Sequence, residues 1–217
     1  GGEFISFSGI VYGIFSREKH VIDEFTIPSG WKWYGGIDYG AANPFVFLLV
    51  AVSNQGEAYV VKEHYVGMRE LEYHARCIKD ICDEYCGGID RLEGIYIDPS
   101  AGIKRDLNVT HNIPTLNADN SLDMGIERVK YYLGNNELTG VPRLRVFRTC
   151  TNLIDEIEKL SYAEAKTDLN TSEKPRKRKD HACDALRYIV STSFMIPDVL
   201  DDEEKDIRSI IIRQFTL

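Results

Sequence analysis

The run from Phe45 to Val52, FVFLLVAV, is continuously apolar, entered through Asn43-Pro44 and left through Asn54-Gln55-Gly56. It is far shorter than the roughly 20 apolar residues that cross a bilayer. A strand that is apolar on successive residues has to be covered on both faces, which puts it inside a sheet with helices on either side. Its neighbours agree. Residues 33–39 read as a strand ending in Asp38-Tyr39-Gly40, and residues 57–66, rich in Val and Tyr, follow a hairpin turn. Three antiparallel strands therefore open the domain.

Beyond them the period changes. Leu71, Ala75, Ile78, Cys82 and Tyr85 recur at helical spacing over residues 69–86, until Gly87-Gly88 stops the helix. A short strand at 94–98 closes on Pro99 and leads into a short helix. A strand at 113–116 comes next, then a helix capped by Asn120 or Ser121 with Leu122, Ile126, Val129 and Leu133 on one face. A strand at 144–147, a helix at 151–163 and a last helix at 180–193 complete the pattern. The order βββαβ followed by alternation predicts an α/β fold with a mixed sheet flanked by helices. Residues 1–30 read as an extended lead-in, with 1–4 set aside as an expression remnant. Residues 31–196 form the main domain, and 197–217 an acidic tail.

The chain has 217 residues and a net charge of −8, from 26 basic and 34 acidic side chains. Taken whole, that balance argues against nucleic acid, whose partners usually carry a basic footprint. Position changes the reading, because residues 198–206 alone hold a net −5 and the remainder sums to only −3. Lys174, Arg176, Lys177, Arg178 and Lys179 put five positive charges into six residues just before the last helix. Such a run is a solvated loop or a phosphate-contacting segment. The five cysteines are odd in number and form no CxxC pair. Cys77, Cys82 and Cys86 share a helix with His74, but a structural zinc site needs spaced pairs on turns, and reduced thiols on a helix are the ordinary reading.

Three acids stand out by position. Asp38 and Asp98 each end a strand, and they meet at one sheet edge if those strands are neighbours. On the last helix, at 100° per residue, Asp180, His181 and Asp184 share one face while Ala182, Ala185, Leu186 and Ile189 share another. The bland alternative has Asp180 capping that helix and Asp184 pairing with Arg187 one turn on. The small Ala182 and Ala185 favour a helix lying close on the sheet, with Asp184 brought towards Asp38 and Asp98. Carboxylates so grouped suit a hard cation such as Mg²⁺ or Mn²⁺, and would repel one another without it.

The segments Gly36-Ile37-Asp38-Tyr39-Gly40, Ile95-Tyr96-Ile97-Asp98-Pro99-Ser100 and Asp180-His181 with Asp184-Ala185-Leu186-Arg187-Tyr188 occur in this order. With them the sequence resembles the nuclease domain of the large terminase subunit of tailed bacteriophages, in the ribonuclease H-like superfamily. Tyr12 to Phe15 and His20 to Pro28 resemble the segment leading out of the terminase ATPase domain. The resemblance implies a ribonuclease H-like mixed sheet of five strands or more. It also implies two Mg²⁺ or Mn²⁺ ions on Asp38, Asp98 and Asp184, with Asp180 or His181 as an outer ligand or proton carrier. The reaction it implies is endonucleolytic cleavage of concatemeric viral double-stranded DNA in the host cytoplasm, with no membrane involved. The basic run at Lys174 to Lys179, with Lys104 and Arg105 after Asp98, then reads as a DNA-phosphate track.

No GxxxxGK[ST] phosphate loop occurs, so the ATPase domain of the same polypeptide is expected outside this stretch. The portal protein and the small terminase subunit are the other expected partners. Two rivals remain at this point: a RuvC-type resolvase or ribonuclease H, and a non-catalytic module docking the motor on the portal.

Overall fold

A computed structural model describes residues 9–40, 43–162 and 180–193. Seven strands form one mixed sheet in the order β1-β7-β4-β3-β2-β5-β6. In chain order these are β1 (Val21–Ile22), β2 (Lys32–Asp38), β3 (Phe45–Val52), β4 (Ala58–Val66), β5 (Leu92–Ile97), β6 (Thr115–Asn117) and β7 (Leu144–Phe147). The helices are α1 (Arg17–His20), α2 (Leu71–Cys86), α3 (Leu122–Leu133), α4 (Thr151–Lys159) and α5 (His181–Ser193). Strands β2, β3 and β4 are antiparallel neighbours, while β5 and β6 add in parallel on one side and β7 and β1 on the other. The mixed α/β sheet flanked by helices is as expected, with seven strands against the minimum of five.

β3 sits at the centre of the sheet, and its residues from Phe45 to Ala51 are at most 1% exposed. Alternation along β4 shows what covers the two faces. Glu63 meets the start of α4, and its neighbour His64 meets His74 of α2 on the opposite side. Helix α5 packs on β2, β3 and β5, with α3 and α4 against it. Its Ala182, Ala185, Leu186, Ile189 and Val190 are essentially inaccessible, so the core face assigned to this helix is the one it buries.

Several elements differ from expectation. Residues 9–30 supply α1, β1 and the buried Val11, Tyr12 and Val21, so the lead-in packs into the same core and adds a strand beside β7. Helix α4 ends at Lys159 rather than 163, because Leu160 and Ser161 leave it to pair with Val11 and Ile10. The expected strand at 113–116 is displaced to Thr115–Asn117, and the short helix after Pro99 is a single π turn over Asp106–Thr110. Among the described residues no helix is long and apolar enough to cross a membrane.

Candidate active site

β2 and β5 are parallel neighbours in which Ile37 is registered with Ile97. The next residues are Asp38 and Asp98, so the two strands end at the same edge with a carboxylate each. Gly36 brings the third acid there. A Cβ on Gly36 would lie 2.3 Å from the Ala185 carbonyl oxygen and 2.7 Å from Ile189 Cγ1, so only glycine lets α5 lie this close to β2. One turn of that helix then carries His181 and Asp184 over the end of β2.

Asp38, Asp180, His181, Asp184 and Tyr188 line one open cleft of about 1040 Å³, and Glu156 lines it too. His181 Nδ1 lies 2.9 Å from Asp38 Oδ2, with both side chains about 15% exposed or less. That hydrogen bond raises the His181 pKa against the effect of burial, with Asp180 and Glu156 adding to the rise. Asp184 Oδ1 accepts from Arg187 Nε at 3.1 Å and Nη2 at 2.9 Å, which is the anticipated pair one turn on. Burial nevertheless raises the Asp184 pKa to about 6; Arg187 offsets part of the rise, and the charges of Asp180 and Asp38 add to it. Arg187 is itself only 5% exposed in its side chain, packed where a Cβ on Gly125 of α3 would strike its Cγ at 2.6 Å.

Asp98 is held differently. Ser100 donates to its Oδ1 through N–H at 2.7 Å and Oγ at 2.5 Å, while Asn120 Nδ2 and Tyr188 OH donate to Oδ2 at 3.4 and 3.3 Å. Burial works against the Asp98 charge, but the donors outweigh it and keep the carboxyl below its ordinary range. Tyr188, on the face of α5 that carries Asp184, thus links Asp98 to the acid helix.

Among the described residues no three His, Cys, Asp or Glu side chains stand close enough, as placed, to share one metal ion. Asp38, Asp98 and Asp184 are each turned on a protein donor. The donor set still fits a hard divalent cation, being all oxygen, and Asp184 ionises late because it is buried, with Asp180 and Asp38 adding to the effect. His74 does not group with the cysteines of its helix. It bonds His64 at 2.8 Å and stacks on Phe45, and all five cysteines are free thiols.

Lys104 and Arg105 follow Asp98 on its loop. The Lys104 ammonium donates to Asn117 Oδ1, and Asn117 is registered with Ile97, one residue before Asp98. Arg105 is exposed. Lys174, Arg176, Lys177, Arg178 and Lys179 lie outside the described residues, as does the acidic tail. Sequence reasoning missed Glu156, which is 6% exposed and whose Oε2 accepts the Ala182 and Cys183 N–H groups. The signal was there: Glu156 sits with Leu153, Ile157 and Leu160 on the apolar stripe of α4, where an acid has to be explained.

A mixed sheet of this order flanked by helices has a ribonuclease H-like fold. The chain belongs to the terminase RNase H-like domain family, whose model matches residues 35–192. The large terminase of a thermophilic bacteriophage is 26% identical, with a TM-score of 0.71 over 86% of this chain and 46% of its own. This chain therefore spans just under half of that protein's length. The P22 large terminase nuclease domain superposes with a TM-score of 0.63 at 17% identity, over 86% of this chain and 93% of its own. The large terminase nuclease of another thermophilic phage, G20c, with bound cobalt, gives a TM-score of 0.57 at 11% identity, over 84% and 97%. These last two likenesses are of fold. No curated protein matches the sequence.

Proposed function

We propose that this chain is a divalent-metal-dependent endonuclease that cuts concatemeric viral double-stranded DNA during genome packaging, by two-metal-ion phosphodiester hydrolysis. The observation that carries the reading is the meeting of Asp38 and Asp98 at the ends of adjacent parallel strands, with Asp184 lowered beside them by the Gly36 contact. Membership of the terminase family supports the substrate, and the cobalt held by the G20c relative supports a metal.

Asp38, Asp98 and Asp184 hold the cations, Mg²⁺ or Mn²⁺, with Asp180 at the rim. Bound there, a pair of such ions supplies activation of the nucleophile and charge compensation for the phosphodiester and its leaving oxygen. The chain's own groups do the rest. Ser100, Asn120 and Tyr188 orient Asp98, and Arg187 orients Asp184. His181 holds a proton at Nδ1 against Asp38 and carries it to or from the cleft. Lys104, Arg105 and the run from Lys174 to Lys179 grip backbone phosphates without reading bases. The portal protein, the small terminase subunit and the ATPase domain of the same polypeptide complete the motor, in the host cytoplasm.

The test is incubation of the chain with Mn²⁺ or Mg²⁺ and, separately, plasmid, RNA–DNA hybrid and four-way junction. Nicking and linearisation of plasmid are expected. Cleavage confined to the hybrid or to the junction would overturn the substrate. Nicking that Asp38→Ala or Asp184→Ala leaves unaltered, with no Mn²⁺ uptake, would turn the reading to a docking module.

A further inference from the structure

We propose that Glu156 is a positioning residue that sets the acid helix on its site, a role that rests on the nuclease reading above. An α-helix leaves its first N–H groups without intrahelical partners, and a charge at its start has to be matched to the dipole. In α5 the N–H groups of Ala182 and Cys183, the second and third residues of the helix, are aimed at one atom. They donate to Glu156 Oε2 at 2.7 and 3.1 Å, and Tyr65 OH donates to Oε1 at 2.8 Å. Both oxygens of this buried carboxylate are thus engaged by donors, two of them main-chain N–H groups of α5.

The support behind Glu156 is also a glutamate. Helix α4 begins after Cys150, which offers no side-chain cap. Its start is held by Glu63 of β4, whose Oε1 accepts from Asn152 N and Nδ2 at 2.8 Å each and whose Oε2 accepts from Leu153 N at 2.9 Å. Glu63 and Tyr65 are two residues apart and so share a face of β4. The sheet therefore holds α4 through Glu63, α4 holds α5 through Glu156, and Tyr65 closes the ring back to β4. What the ring fixes is the entry of the helix that carries His181 to Asp38 and Asp184 to the cleft. A carboxylate is a costly cap to bury where a serine would serve. What it supplies is an anchor on α4 for the Ala182 and Cys183 N–H groups.

The test uses the 217-residue chain and the variants Glu156→Ala, Glu156→Gln and Tyr65→Phe, each checked by its thermal melt. In Glu156→Ala the amides of Ala182 and Cys183 are expected to exchange about tenfold faster or more, with β3 amides unchanged. Mn²⁺ affinity is expected to fall about tenfold, the scale of loss for groups behind a metal ligand. The ¹⁵N shift of the His181 imidazole is expected to report loss of its bond to Asp38. Glu156→Gln should restore part of each effect, and Tyr65→Phe should give a smaller change in the same direction, serving as the readout if Glu156→Ala does not fold. Unchanged exchange at Ala182 and Cys183, or equal acceleration in β3, would overturn the proposal. A wild-type chain that takes up no Mn²⁺ and cuts no DNA would sink the nuclease reading instead, leaving the amide and imidazole readouts to decide Glu156.

Discussion

Glu57 and Asp38 lie at opposite ends of the same three strands and live in opposite electrostatic conditions. Glu57, just before β4, is closed in by Thr139 Oγ1 at 2.6 Å, Tyr59 OH at 2.9 Å and Arg145 Nη2 at 2.9 Å, and the Arg145–Glu57 pair is at most 19% exposed. One cation and two hydroxyls answer one carboxylate. At the other end Asp38, Asp180 and Asp184 line one cleft with His181 and Lys159, and burial raises the Asp184 pKa to about 6 although Arg187 offsets part of the rise. A matched acid fastens strands together. Several carboxylates in an open cleft leave room for a cation from outside.

The largest break of this contrast is expected at the open end. Asp38→Asn should reduce Mn²⁺-dependent plasmid cleavage by about a thousandfold or more, the several kcal/mol that bound cations contribute to charge development. Its chemical melt should stay near wild type, because an asparagine of the same shape can still accept from His181 Nδ1. The reverse is expected for Glu57→Ala. Stranding Arg145 in a buried network should cost about 3 kcal/mol of stability. Cleavage per folded molecule should remain unchanged, as read by urea titration beside the plasmid assay. A Glu57 variant that loses activity while stable would erase the distinction between the two ends.

The site was legible where local pattern and register coincide. Asp38 and Asp98 could be read because strand ends followed by Gly or Pro are visible in sequence, and the run from Phe45 to Val52 fixed which strands are central. Asp184 could be read because helical period separates it from Ala182 and Ala185. What stayed hidden depends on residues far apart in the chain. Val21 and Ile22 form a strand only because Val146 and Phe147 lie beside them, and α4 stops at Lys159 because Ile10 and Val11 take the following residues. His74 looked like a neighbour of cysteines, yet its partner is His64 across the α2–β4 interface. Glu156 holds the start of a helix some 25 residues ahead, at Ala182 and Cys183, which no capping pattern encodes.

The smallest expected effect sets the acid edge against that histidine pair through pH. Burial, and then His74, lowers the His64 pKa from 6.5 to about 4, so the folded chain refuses a proton that the unfolded chain accepts between those values. Stability from this pair therefore rises as pH rises from about 4 to 6.5. Asp184 does the opposite. Its pKa is raised from 3.8 to about 6, so the folded chain keeps a proton that the unfolded chain has released, and stability falls as pH rises through that window. The two groups act in opposite directions across that window in the metal-free wild type. Asp184→Asn removes the Asp184 share of the falling slope, so between pH 4 and 6 its stability should gain about 2 kcal/mol relative to the wild type. Identical profiles for the wild type and the variant would show that Asp184 ionises like an ordinary surface acid, and that burial in the cleft does not hold its proton.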